Sequence, residues 1–171
     1  MADYSKSYAR TIQNEGGYRL VNVSSDRGGQ TYAGIARNFF PQWPGWRYID
    51  AKDLGNLQLS LLVEEFYREN FWNKVAGDQI DSQTKAEALF DFGVNAGVST
   101  AIKLAQLVVD TVPDGAIGPE TLQKLNAMED AQFVLKFAIA KIARYAEICN
   151  KDKTQSKFLL GWINRTLGGL S

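Results

Sequence analysis

The sequence predicts a mainly α-helical α+β domain, in which a small β lobe near the N-terminus faces a helical body across a cleft. Three observations lead there. Apolar residues recur at helical spacing over residues 3–14 and again through most of the chain from residue 56 onward. Between residues 18 and 35 that spacing gives way to β-favouring residues and turn chemistry. The chain has 171 residues, 45% hydrophobic and 22% charged, a composition suited to one compact domain, and no linker or tandem repeat divides it.

Taken in order, Tyr4, Tyr8 and Ile12 mark an amphipathic helix with Asp3 as N-cap. Gly16 and Gly17 end it, because paired glycines reach the positive φ that helix stops use. Leu20, Val21 and Val23 favour extended chain, Ser24 to Gly29 is turn chemistry, and Thr31 to Ile35 returns antiparallel. Residues 35 to 46 read as a short helix breaking into a loop marked by Pro41 and Pro44; its Phe39, Phe40, Trp43 and Trp46 either line a sugar cleft or form core at a lobe junction. Asn56 caps a helix to about Asn70 that buries Leu59, Leu62, Val63 and Phe66 and turns Glu64, Glu65, Arg68 and Glu69 outward.

Thr84 and Glu87 offer a capping box for a helix running to Gly97. Within it Asp91, Gly93, Asn95 and Gly97 are small or polar, which either lets another helix approach or projects Asn95 into the cleft. Ser99 caps the next helix, residues 100–110, which reads as apolar all round. Pro113-Asp114-Gly115 is a turn, and Pro119 starts a helix at its first position. A long helix spans about 129–150 with Phe133, Phe137, Ala140 and Ala143 inward, and Thr154 caps a last helix through Phe158, Leu159, Trp162 and Ile163 to Gly168.

Composition excludes more than it suggests. The chain has no histidine and one cysteine, Cys149, so a disulfide framework, the usual zinc sites and Ser-His or Cys-His nucleophiles are absent. No metal or cofactor is expected, and proton transfer falls to carboxylates. Nineteen basic residues balance nineteen acidic ones, which disfavours nucleic acid as a partner. Residues 131–149 are the most apolar stretch, but Lys136, Lys141, Arg144 and Glu147 interrupt them, so no membrane insertion is expected. Met1 to Gln13 lacks the apolar run of a secretory signal.

The leading catalytic candidate is Glu15. A carboxyl at a helix C-terminus meets the negative end of the dipole, and partial cover by Tyr18 adds to the upward pull on its pKa, which would keep it protonated as a general acid. The plainer reading is an exposed glutamate before a glycine stop. Asp26 on the hairpin is the natural second carboxylate, or otherwise an Asx-turn residue beside Gly28-Gly29. Thr31 on the returning arm would help hold a water. Two carboxylates suffice to cleave a glycosidic bond, by inversion when about 6.5–9.5 Å apart and by retention near about 5 Å.

Glu15-Gly16-Gly17-Tyr18, followed by Asp26, Gly28-Gly29, Thr31 and Gly34-Ile35, resembles the signature of glycoside hydrolase family 108, lysozyme-like N-acetylmuramidases sometimes labelled secretion activators. Phe90 to Gly97, then Asp114-Gly115, Ile117-Gly118-Pro119 and Thr121, and finally Phe158 to Arg165, resemble the family's C-terminal half, a predicted peptidoglycan-binding region. Family members commonly carry an Asp-Pro-x-Asp-Pro run before the paired glycines, where this chain has Val21 to Arg27.

The resemblance implies a single lysozyme-like domain over 1–171, with a catalytic half at 1–80 and a helical half at 81–171. It implies hydrolysis of the β-1,4 bond between N-acetylmuramic acid and N-acetylglucosamine, with Glu15, Asp26 and Thr31 as the catalytic trio. Tyr18, Tyr32 and Asn95 are the expected substrate contacts. The alternative is a non-catalytic peptidoglycan-binding or secretion-assisting protein. Peptidoglycan strands are the expected partner of a monomer made in the cytoplasm, which reaches the wall by release through a holin-like pore, as an endolysin does, or through a specialised secretion role.

Overall fold

The computed structural model describes residues 1–14, 16–22 and 28–169, apart from the side chain of Asn22. Two compact units emerge, Tyr4–Trp72 and a second comprising Met1–Asp3 with Asn73–Ser171. The architecture is mainly helical with one small antiparallel sheet, as the sequence predicts.

In the first unit, α1 (Tyr4–Asn14) buries Tyr4, Ser7, Tyr8, Thr11 and Ile12, one face at helical spacing. Gly16 and Gly17 have φ of 86° and 75°. The Gly17 N–H bonds the Ile12 carbonyl at 2.8 Å and the Gly16 N–H bonds that of Gln13 at 3.1 Å, the paired bonds of a Schellman stop. β1 (Leu20–Asn22) pairs with β2 (Gln30–Tyr32), placing Leu20 opposite Tyr32 and Val21 opposite Thr31. β2 turns through Ala33 and Gly34, both at positive φ, into β3 (Ile35–Ala36).

A helix expected from Ile35 is therefore a strand and a series of turns, and α2 spans only Trp46–Asp50. The reason is local: the Arg37 N–H bonds the Gln30 carbonyl and extends the sheet's pairing, while Pro41 and Pro44 bring no N–H donors. α3 (Leu57–Tyr67) starts at Asn56, whose side chain accepts from the Gln58 N–H at 2.9 Å, and runs into one π-helical turn, Arg68–Trp72. Leu59, Val63, Phe66, Tyr67 and Trp72 are buried, and the Tyr67 hydroxyl donates to the Ala33 carbonyl at 2.9 Å, tying α3 to the hairpin.

In the second unit, α4 (Gln83–Ala96) is capped by Ser82 rather than Thr84, because the Ser82 Oγ accepts from the Lys85 N–H and itself donates to Asp130 at 2.6 Å. α5 (Val98–Val108) follows directly on Gly97 at φ 91°, which leaves Ser99 inside its first turn instead of capping it. It is amphipathic rather than apolar all round: Ala101, Ile102 and Ala105 are buried, whereas Leu107 is 59% exposed. α6 (Pro119–Ala127) has proline at its first position, as expected.

Glu129 caps α7 (Asp130–Lys151), which packs on α4, α5 and a closing helix α8 (Ser156–Gly168). Phe133, Phe137, Ala138, Tyr145 and Cys149 are its buried residues, while Ala143 is exposed. Before α8, Asp152 and not Thr154 is the capping side chain, accepting the Thr154 N–H at 2.9 Å at the head of a 3-10 turn. No helix among the described residues is long and apolar enough to cross a membrane.

Candidate functional site

The stop of α1 fixes the backbone on both sides of residue 15. Glu15 itself and Asp26, with the burial and raised pKa expected of Glu15, lie outside the described residues. What is described is the scaffold around them. Tyr18, 45% exposed, meets the Tyr8 hydroxyl at 2.8 Å, which tethers the segment after the stop to the helix before it. Burial, then the bond to Tyr18, pushes the Tyr8 hydroxyl well above its ordinary range, so it stays protonated wherever the protein is folded.

From Tyr18 the aromatic contacts continue inward. Its ring lies 6.5 Å from that of Tyr32, which stacks on Trp43 at 6.4 Å. Tyr32 is 2% exposed, a ring with almost no face to offer a sugar, and burial, then the neighbouring Tyr18, raises its pKa. Thr31 points its hydroxyl toward the Gly29 carbonyl at 3.4 Å and is half-buried on β2. Thr31 and Tyr18 thus stand on the same small unit, held by α1 and the sheet. Asn95 is exposed near the C-terminal end of α4, in the second unit.

The loop after β3 forms one wall of a concave surface in the first unit. Arg37 anchors it through a bidentate pair to Asp50, at 2.7 and 2.6 Å, and a bond to Gln30 at 2.7 Å, with its guanidinium over Trp46. That bond from Arg37 holds the Asp50 carboxyl below the usual carboxylate range. The loop aromatics divide: Trp43 and Trp46 are core, while Phe39 and Phe40 are exposed. Between this loop and α3 lies a groove of about 400 Å³, with Glu65, Phe66 and Glu69 on its helical wall. The sequence places both glutamates on a solvent face; their spacing of four is the signal that Glu65 of α3 and Glu69 of the π-helical turn after it stand on one side.

In the second unit, the residues Asp114 to Thr121 wrap around Gln106, which is 1% exposed. Its amide nitrogen donates to Asp114 Oδ1 at 2.7 Å and the Ala116 carbonyl at 3.0 Å, and its oxygen accepts the Gly115 N–H at 2.9 Å. Gly115 is at φ 87°, and a Cβ there would meet Ser99 Oγ at 2.6 Å, so the turn requires glycine. Asp114, Gly115 and Ala116 are thus tied to the buried Gln106, which fixes the entry to α6. Beside that helix start, Gln79, Ile117, Leu122 and Asn126 line a second groove of about 350 Å³. Gln106 carries no signal of its own in the sequence, where its helix reads as apolar all round.

Comparison with known proteins divides the chain at the junction of α4 and α5, inside the second unit. Residues 8–97 match the family described as glycosyl hydrolase 108, and residues 100–167 match a predicted peptidoglycan domain. Among solved structures, that of Brucella abortus SagA is similar, with a TM-score of 0.75 and 29% identity, over 98% of this chain and 91% of that one. The curated proteins contain no match.

Proposed function

The chain belongs to the glycosyl hydrolase 108 family, and from that premise we propose that it hydrolyses the β-1,4 bond between N-acetylmuramic acid and N-acetylglucosamine. The two matched segments together support a lysozyme-like protein acting on peptidoglycan. The observation that carries the finer reading is the Schellman stop across residue 15, inside the matched family segment. A carboxyl there is expected to face the negative end of the α1 dipole, which would favour its protonated form.

In this reading Glu15 donates a proton to the leaving oxygen as the glycosidic bond breaks. Asp26 orients or deprotonates the attacking water, Thr31 helps position it, and Tyr18 offers a ring to a sugar face. Clearing of purified peptidoglycan, followed by release of reducing ends, tests the assignment. Glu15→Gln should lower the rate by about a hundredfold or more; undiminished clearing would end it. Asp26→Asn with near-normal turnover would remove Asp26 from the mechanism.

A second reading is a non-catalytic wall-binding or secretion-assisting protein, favoured by the peptidoglycan-domain match over 100–167. Retention on insoluble peptidoglycan with a flat reducing-end assay would select it. For either reading we take the protein to act as a monomer, reaching the wall from the cytoplasm through a holin-like pore or a secretion apparatus. Stable retention inside cells during wall turnover would contradict that route.

A further inference from the structure

We propose that the groove between the loop at residues 39–44 and α3 binds a primary ammonium group, the side-chain amine of a diamino acid in a peptidoglycan stem peptide. The wall as the source of that amine rests on the function proposed above; the cation chemistry rests on the groove alone. A volume of about 400 Å³ accommodates an aminoalkyl side chain. One wall is aromatic and apolar, formed by Phe39, Phe40, Pro41 and Pro44. The other carries two carboxylates, Glu65 and Glu69, one helical turn apart on the same face.

Charge points to the occupant. Among the described residues no lysine or arginine lines the groove, and neither carboxylate has a hydrogen bond or ion pair. The intervening Arg68 lies over the Tyr4 ring at 5.1 Å. Like charges at this spacing repel and weaken a helix, a local conflict of the kind found at functional sites, and a cation between them relieves it. Exposed aromatic faces add to the attraction, since a ring's negative face draws an ammonium. Phe39 is 65% exposed, and Phe40 is fixed edge-on against Phe66 at 4.7 Å. An alkyl stem laid along Pro41 and Pro44 would bring its ammonium to Glu65 and Glu69.

The groove also adjoins the hairpin. A Cβ on Gly28 would meet Phe39 and the Thr31 hydroxyl, each at 3.8 Å. The loop wall therefore lies beside the start of β2, so a peptide stem held in the groove would tether its glycan near Thr31. This would make the site a determinant of substrate preference, separate from the residues that move protons.

Calorimetric titration of the whole chain tests the proposal with three probes: a lysine-containing stem peptide with a free side-chain amine, the same peptide with that amine acetylated, and a tetramer of N-acetylglucosamine. Binding of the free-amine peptide should weaken about tenfold or more on acetylation, and equally in the Glu65→Gln/Glu69→Gln double variant, as loss of an ammonium shared by two carboxylates and an aromatic face predicts. Raising salt should weaken it further, and Phe39→Ala should reduce it. Equal affinity for the acetylated peptide, or unchanged affinity in the double variant, would overturn the site. So would Phe39-dependent binding of the sugar tetramer alone, which would make the groove a saccharide site. The hydrolytic reading is judged separately: if the parent protein releases no reducing ends from purified peptidoglycan while the free-amine peptide binds as described, hydrolysis fails and the amine site stands.

Discussion

Gln106→Leu is the sharpest probe of the segment from Asp114 to Thr121, because one buried amide holds that turn by both ends. Leucine matches the volume of glutamine to a first approximation and leaves no cavity, so the effect isolates the hydrogen bonds. Three acceptors lie near the amide nitrogen, which has two hydrogens; Thr121 Oγ1, at 3.4 Å, is the weakest of them. Asp114 keeps the Ala116 N–H at 2.9 Å and is exposed, so water replaces much of what it loses. The Gly115 N–H is half-buried and loses its acceptor.

A hydrogen bond to a charged acceptor is worth about 1.5–3 kcal/mol, and an orphaned buried donor costs about 1–3 kcal/mol. Discounting for exposure and for the apolar gain of leucine, the net loss is about 3 kcal/mol. With a urea slope of about 2 kcal/mol per molar, the unfolding midpoint should fall by about 1.5 M. Gln106→Glu should be no better tolerated, since it sets a second carboxylate against Asp114. A midpoint within about 0.3 M of the parent for the leucine variant would refute the view that these residues serve the turn.

Other expectations follow from single contacts. Lys85 is 2% exposed, and its ammonium caps the carbonyls of Leu125, Asn126 and Met128 at the end of α6 while pairing with Asp130 at 3.2 Å. Lys85→Met should cost about 3 kcal/mol in urea denaturation, and a loss below about 1 kcal/mol would contradict the cap. A Cβ on Gly45 would lie 2.2 Å from the Trp43 ring, so Gly45→Ala should cost about 1–3 kcal/mol and shift tryptophan fluorescence; an unchanged spectrum and midpoint would argue otherwise.

Lys141 sits 4.9 and 4.8 Å from the Phe92 and Phe137 rings, and burial lowers its pKa to about 8 despite the nearby Asp91, with Arg165 pushing the same way as burial. The unfolded chain then binds more protons above that pH, so stability should rise between about pH 8 and 10, with a limiting slope of about 1.4 kcal/mol per unit. Lys141→Met should flatten the rise. Tyr4 and Tyr8, both held protonated chiefly by burial, reverse the trend above about pH 10, which sets the upper limit of the measurement.

The features the sequence determined by itself are those whose hydrogen-bond partners lie within a few residues. The double-glycine stop of α1, the Asn56 cap and the proline start of α6 all appear where the residues put them, since each needs only nearby backbone. Glu15 and Asp26 were legible as a motif, through residue types and order, although their side chains lie outside the described residues. Tertiary structure decided what several equally competent residues could not. Ser82 and Thr84 can both cap α4; the hydroxyl that Asp130 holds from α7 does so.

Four aromatics in one loop looked alike. Trp43 and Trp46 went inward because their indole N–H groups find the carbonyls of Leu62 and Phe40, and Phe39 stayed out at the rim of the groove. Lys85 and Gln106 carry no local signal of burial, yet each is buried, because its partners arrive from 8 to 45 residues away. A local pattern can specify which backbone groups need a partner, but burial of a polar side chain depends on what the rest of the chain brings to it.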